Sequence, residues 1–214
     1  MISKNDVIEG PDRVGKQTQT RLLKETVMKY GMLATVIEVP IRSVLTYRII
    51  YWMLKNGLAK KFPKVFQWFQ YMNRKIFQVF TLPSLERYYD FIIMDRWSLS
   101  TIVYGAAEGV SKEYTVGLAK KLREPDFTII LHGAAHAHEA EDSYEADSFL
   151  QKQVRLEYAK WAIENPQSTK LIDCQQDKKA IAVNIHRTLQ EKEHLWAPTQ
   201  VGRFEGRPLL QANP

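Results

Sequence analysis

Residues 8–19 read "IEGPDRVGKQTQ", and this stretch decides the fold. Gly10 and the pair Gly15-Lys16 enclose four residues, the frame of a phosphate-binding loop. Glycines at both ends let the chain turn tightly, so that backbone N–H groups point inward. The helix that follows adds the positive end of its dipole. Asp12, Arg13 and Val14 fill the loop, and Lys16 has the reach to meet the β- and γ-phosphates as a mobile point charge. The frame ordinarily closes with Ser or Thr, whose hydroxyl holds magnesium. Here Gln17 stands in that place and Thr18 follows one position late. A glutamine carbonyl is an oxygen ligand of the kind Mg²⁺ accepts. Two readings stay open: a working nucleotide site with a changed metal ligand, and a loop that binds phosphate without catalysis.

Working outward, strand and helix signals alternate. Apolar runs at 6–10, 32–40, 91–94, 126–131 and 169–174 read as strands, and Phe91 to Met94 is unbroken apolar, as a strand buried on both faces should be. Helical spacing recurs over 18–30, 43–55, 62–80, 98–108, 111–123, 147–164 and 178–191. In 43–55 the apolar face is expected to carry Val44, Tyr47, Ile50, Tyr51 and Leu54. Such alternation predicts an α/β fold: a P-loop NTPase of three layers, α/β/α, with a parallel five-stranded sheet flanked by helices. Ligands of such sheets bind beyond the carboxyl ends of the strands. That is where Gly10–Lys16, Pro40–Arg42 and Asp95-Arg96 fall. The expected organisation is one domain over 1–193 with a tail over 194–214.

Bulk properties narrow the classes. The chain has 214 residues, 45% of them hydrophobic and 25% charged, the balance of a soluble globular domain. A single cysteine, Cys174, rules out an internal disulfide framework and fits a reducing, cytoplasmic setting. The charged start "MISKNDVIEG" does not read as a secretory leader, and the best apolar run, "VLTYRIIYWML", is short and broken by Arg48, so no membrane span is expected. Residues 1–90 hold fifteen Lys/Arg and seven Asp/Glu, a balance of +8 within the total of +6, so the remainder carries −2. A basic half suits an anionic ligand, either nucleotide phosphates or nucleic acid.

The loop and the stretches that follow it carry a resemblance. "GPDRVGKQTQTRLL", "VPIR", "MNRKIF" and "DRWSLSTIVYG", followed by "EPDFTIIL", resemble the thymidylate kinase family in type and in order, over about residues 7–190. The match is to the type with an Asp-Arg pair inside the loop. What the resemblance implies is phosphoryl transfer from ATP to dTMP with Mg²⁺, in a homodimer packed through the helices near 62–80. It implies that Arg42 and Arg96 hold the acceptor phosphate, and that Arg13 lies over the transferring group. Asp12 would meet the acceptor sugar. Asp95 and Gln17 would organise the metal and its waters. Arg74 would donate to the base, and Pro40, Asn73, Ser100 and Tyr104 would complete the acceptor site. The family's stacking aromatic falls on Gln70 here, so Phe69 is the expected substitute. Gly105 follows Tyr104 where some relatives carry glutamine.

These roles suit the chemistry. Moving phosphoryl between two polyanions requires cancelling their repulsion and holding them in line, and guanidinium forks do both. The resemblance implies a kinase domain over 1–193 with a small lid at about 133–147; from 124 to 151 the chain has no Lys or Arg, so that lid supplies no arginine and Arg13 is left to do that work. His132, His136 and His138, beside Glu139, Glu141 and Asp142, form a possible metal cluster, though a solvated loop is the simpler reading. The rival readings are a broader deoxynucleoside monophosphate or deoxynucleoside kinase, a pseudokinase disabled at Gln17, and a nucleic-acid binder using the basic half. The two arginines set for an acceptor phosphate weigh against a nucleoside substrate. The helical period of the 62–80 aromatics favours burial over stacking on nucleic acid.

Overall fold

Parallel pairing of five short strands organises the chain, in the order β2-β3-β1-β4-β5. The strands are β1 (Lys4–Glu9), β2 (Ala34–Glu38), β3 (Phe91–Asp95), β4 (Phe127–His132) and β5 (Thr169–Asp173). The computed structural model describes residues 3–134, 144 and 147–192. Most of the expected lid, including His136, His138, Glu139, Glu141 and Asp142, and the tail from 194 lie outside these residues.

The helices between strands are α1 (Lys16–Lys29), α2 (Thr46–Lys55), α3 (Leu58–Lys61), α4 (Pro63–Phe80), α5 (Leu82–Tyr88), α6 (Ser98–Ala107), α7 (Lys112–Ala119), α8 (Ser148–Glu164) and α9 (Lys178–Glu191). Two starts are fixed by acidic caps: the Asp147 carboxylate accepts from Leu150 N–H at 2.9 Å, and that of Asp177 from Lys179 N–H at 2.8 Å.

Alternation along the central strands divides the core. Phe91 and Ile93 of β3, with Ile8 and Ile129, pack against Leu23 and Val27 of α1 and Ile181 and Ile185 of α9. Ile92 and Met94, with Val7, face Phe77 and Trp97 on the opposite side. Ile130 joins α2, α4, α6 and α8 through Ile50, Phe66, Val103, Val154 and Tyr158. β3 therefore buries both faces, which is why Phe91 to Met94 runs apolar rather than alternating; β1 is equally buried but carries Asn5, Asp6 and Glu9.

Register matters for function. Ile8 and Glu38 both pair with Asp95, and Glu9 pairs with Ile130. The strand ends that carry polar residues thus lie side by side. Sequence spacing did not reveal α3 and α5, both short. The buried face of α2 also differs from expectation: Ile50 and Met53 are buried, whereas Tyr51 is exposed. Among the described residues no helix is long and apolar enough to cross a membrane.

Candidate active site

The loop after β1 holds a conformation that its residue types require. Gly10 sits at φ +147°, and a Cβ there would lie 2.5 Å from the Leu131 carbonyl oxygen, so only glycine fits. Arg13 at φ 60° and Gly15 at φ 87° complete the turn, and Gly15 begins α1. Val14 is buried beneath, in the core on the α1 face. Lys16 folds back so that its ammonium donates to the Pro11 carbonyl at 2.5 Å. Burial and the neighbouring Arg96 guanidinium lower its pKa to about 8, against the pull of Asp12, Asp95 and Glu9. Gln17 is exposed in the first turn of α1 and Thr18 half-buried. Gln19 ties α1 to the start of α9, its Nε2 donating to the Lys178 carbonyl at 3.0 Å.

Asp12 is the centre of the polar network. One oxygen receives Arg96 Nη2. The other receives the Tyr104 hydroxyl and Gln151 Nε2, each at 2.7 Å. Gln151 also accepts the Asp12 backbone N–H at 3.2 Å, so the two residues clasp each other. Burial would raise the Asp12 carboxyl, but Arg96, Lys16 and these donors outweigh it and hold it below its ordinary value. Arg96, at φ 70°, also donates through Nη1 to the Gly10 carbonyl at 3.0 Å and to Ser100 Oγ at 3.4 Å. Its guanidinium carbon lies 5.2 Å from the centre of the Tyr104 ring. Asp95, at the end of β3, has its pKa raised by burial, with Lys16 and Arg96 opposing.

Beside this network opens a cavity of ≈ 190 Å³. Asp12, Arg96, Ser100 and Tyr104 line one part, Pro40 flanks it, and Phe66, Gln67, Gln70 and Arg74 of α4 line another, with Tyr144. Arg74 is 2% exposed; its Nη1 donates to Gln70 Oε1 at 3.3 Å, and among the described residues its Nε has no hydrogen-bond partner. Burial lowers its pKa to about 10, while the Glu9 carboxylate works the other way.

Not every expected site residue reaches this cavity. Phe69 is outside the lining and packs edge-on against Trp68, at 5.1 Å between ring centres. The α4 ring in the lining is Phe66, one turn earlier. Asn73 is fully buried and both ends of its amide serve Ile41: Oδ1 accepts from the Ile41 N–H at 2.6 Å, and Nδ2 donates to the Ile41 carbonyl at 3.0 Å. It therefore fixes the loop after β2 rather than facing the cavity. Arg42 on that loop is exposed and pairs with Glu38, at 3.7 Å.

These features, a phosphate loop opening onto a cavity lined by buried arginines, agree with the comparison to known proteins. The family model "Thymidylate kinase" matches residues 8–185. The chain belongs to the thymidylate kinase family. It is 33% identical over 137 residues to a thymidylate kinase of Chlamydia felis, an alignment that covers 58% of this chain and 63% of that protein. It is 26% identical over 189 residues to a putative thymidylate kinase of Invertebrate iridescent virus 6, covering 86% and 87% of the two chains. The fold matches the solved thymidylate kinase of Candida albicans with a TM-score of 0.74 at 21% identity, over 91% of this chain and 94% of that one.

Within this family member, several site residues were not visible from sequence. Glu9 is fully buried, and its carboxylate accepts from Trp97 N–H at 2.7 Å, Ser100 N–H at 3.2 Å, Ser100 Oγ–H at 2.6 Å and the Tyr158 hydroxyl at 2.7 Å. It neutralises the start of α6 and so holds the turn that carries Arg96. Gln151, Tyr144 and Tyr158 come from the chain after β4, where nothing in the sequence spacing marked them. An acid ending an apolar strand, one residue before the glycine, was the available signal for Glu9. Gly105 has a packing role: a Cβ there would lie 2.4 Å from Thr115 Cγ2 on α7, leaving no room for a longer side chain.

The donor set for a metal is small. Among the described residues no group of three or more His, Cys, Asp or Glu is placed to hold one. Mg²⁺ in phosphoryl-transfer sites takes one or two carboxylates and otherwise phosphate and water. Asp95, a carboxylate at the sheet edge beside Lys16, with the exposed Gln17 carboxamide, fits that pattern.

Proposed function

We propose that the chain transfers the γ-phosphate of ATP to dTMP, giving dTDP and ADP. The observation that carries the reading is the shared position of Asp12 and Arg96. Both belong to the phosphate-loop network and both line the cavity. A donor held by the loop and an acceptor held in the cavity therefore meet at one place, as in-line transfer needs.

Lys16 leaves the Pro11 carbonyl to neutralise the donor phosphates. Arg96 grips the acceptor phosphate, and Arg42, open to solvent, folds inward to join it. Arg13 stabilises charge on the transferring group, which suits a chain without a lid arginine. Asp12 accepts from the acceptor sugar, Tyr104 and Ser100 shape the floor, Pro40 walls one side and Arg74 donates to the base. Asn73 supports Pro40 and Arg42 through Ile41. Mg²⁺, when bound with ATP, neutralises the phosphates, and Asp95 with Gln17 are the residues that would hold it and its waters. No covalent enzyme intermediate is involved. The chain is read as a cytoplasmic homodimer, and exposed apolar side chains on α2 and α4, among them Trp52, Trp68 and Phe80, support that pairing.

The test is an ADP-release assay with Mg-ATP against dTMP, dUMP, other nucleoside monophosphates and thymidine, with Arg96→Ala as control. Turnover of dTMP that vanishes in the control supports the reading. Preference for another monophosphate reassigns the base. Binding of ATP and dTMP without turnover identifies a pseudokinase and makes Gln17→Ser the next variant.

A further inference from the structure

The part of the cavity formed by α4 is unexpectedly polar. Phe66, Gln67, Gln70 and Arg74 lie on one face of that helix and all line the cavity. Gln67 is 1% exposed, and its Nε2 donates to Glu108 Oε2 at 3.0 Å. Glu108, just past the end of α6, receives the Tyr144 hydroxyl on its other oxygen. Tyr144 itself stacks on Tyr104 with ring centres 6.1 Å apart and packs edge-on against Phe66 at 5.4 Å.

An ionised carboxylate can only accept hydrogen bonds. Glu108 therefore selects which end of the Gln67 amide it faces, the NH₂ end. The carbonyl end, Oε1, is left as a fixed acceptor, and it accepts no hydrogen bond from the described residues. Arg74, two turns along the same face, can only donate. An acceptor and a donor in one wall complement a ring N–H beside a carbonyl, the edge that thymine and uracil present. Cytosine presents the reverse, a bare ring nitrogen beside an amino group.

We propose that Gln67, oriented by Glu108, reads the ring N–H of the acceptor base and thereby excludes cytosine. The inference rests on the pyrimidine-monophosphate reading above. Gln67 would touch substrate, and Glu108 is a positioning residue acting through it.

Calorimetric dissociation constants for dTMP and dCMP, at pH 8, test it on wild type, Gln67→Met and Glu108→Gln, with ADP binding as the control for an intact fold. Wild type should favour dTMP. Gln67→Met should reduce that preference about tenfold, the worth of one neutral hydrogen bond and the mismatch it guards against. Glu108→Gln, whose amide can face Gln67 by either end, should lose most of the same preference. ADP affinity should hold in both. A wild type without preference, or a preference unchanged in either variant that still binds ADP, overturns the proposal. If either replacement fails to bind ADP, wild type decides at two pH values. Burial lifts the Glu108 carboxyl to about 7, with Gln67 on α4 and Lys60 on α3 acting against that rise, and Tyr144 as the remaining contact. Protonation at pH 6 frees the amide to turn, so the preference should fall from pH 8 to pH 6, and a flat ratio overturns the proposal. Selective dTMP binding without phosphorylation would defeat the activity reading while leaving this base reading standing.

Discussion

Nucleotide binding should load a proton onto Lys16. In the free chain its pKa falls from 10.5 to about 8, because the ammonium is buried and Arg96 is near. That difference corresponds to roughly 3 kcal/mol against the charged form. A folded-state pKa below the unfolded value means that the unfolded chain binds more protons between pH 8 and 10.5, so the free chain gains stability from this group as pH rises through that window. Donor phosphates reverse the balance by surrounding the ammonium with negative charge. At pH 8.5 the free chain carries about a quarter of a proton on Lys16, and the ADP complex nearly a full one, so binding takes up about 0.7 proton; at pH 7 the uptake drops to about 0.1. The assay is titration calorimetry with ADP in two buffers of different ionisation enthalpy at each pH. The dependence of observed heat on buffer enthalpy gives the proton count. Lys16→Arg keeps a cation that does not titrate, so its uptake at pH 8.5 should vanish while weaker binding persists. A wild-type uptake near zero at pH 8.5, or one equal to that of Lys16→Arg, refutes the reasoning.

Three substitutions extend the test. Gly10→Ala drives a Cβ to within 2.5 Å of the Leu131 carbonyl at a backbone angle that side chains avoid; it should cost about 2 kcal/mol or more in urea unfolding and abolish ADP binding. Asn73→Ala strips both partners from the buried Ile41 peptide groups and should lower stability by about 2–4 kcal/mol. Its unfolding midpoint should drop with the denaturant slope unchanged, and the acceptor KM should rise with ATP binding intact. Arg42→Ala removes only an exposed ion pair, so stability should change by less than about 0.5 kcal/mol. Affinity for dTMP should nevertheless fall about tenfold or more, with thymidine binding unaltered; equal losses for both ligands would place Arg42 away from the acceptor phosphate.

The fold was legible because Phe91 to Met94 of β3 runs unbroken apolar and the glycine loop follows β1 directly. Local chemistry also marked Lys16, at the start of α1 beyond the β1 loop, and Asp95 and Arg96, at the end of β3 where ligands gather. What stayed hidden depends on long-range approach. Gln151 reaches Asp12 across 139 positions of chain, and Tyr158 reaches Glu9 across 149. Helical period told that α4 has an apolar face, but not which of its residues turn to the cavity. Phe66 and Phe69 differ by one residue short of a full turn, so the choice between them needed the orientation of the helix. Asn73 and Arg74 are neighbours in sequence and face different tasks, one holding a loop and one lining the cavity.

The placement of the proposed base-reading residues on α4 sets them apart from the phosphate loop. The phosphate loop is locked to the sheet, with Gly10 against β4 and Glu9 under the start of α6, so almost any replacement there disturbs phosphate chemistry and folding together. The residues at 67, 70 and 74 hang from a helix whose Phe66 and Phe77 pack into the core beneath the sheet. A lineage could exchange those three positions and acquire a different base preference while its catalytic machinery stayed as it was. On the proposed reading, substrate choice would then be an interchangeable part mounted on a fixed engine.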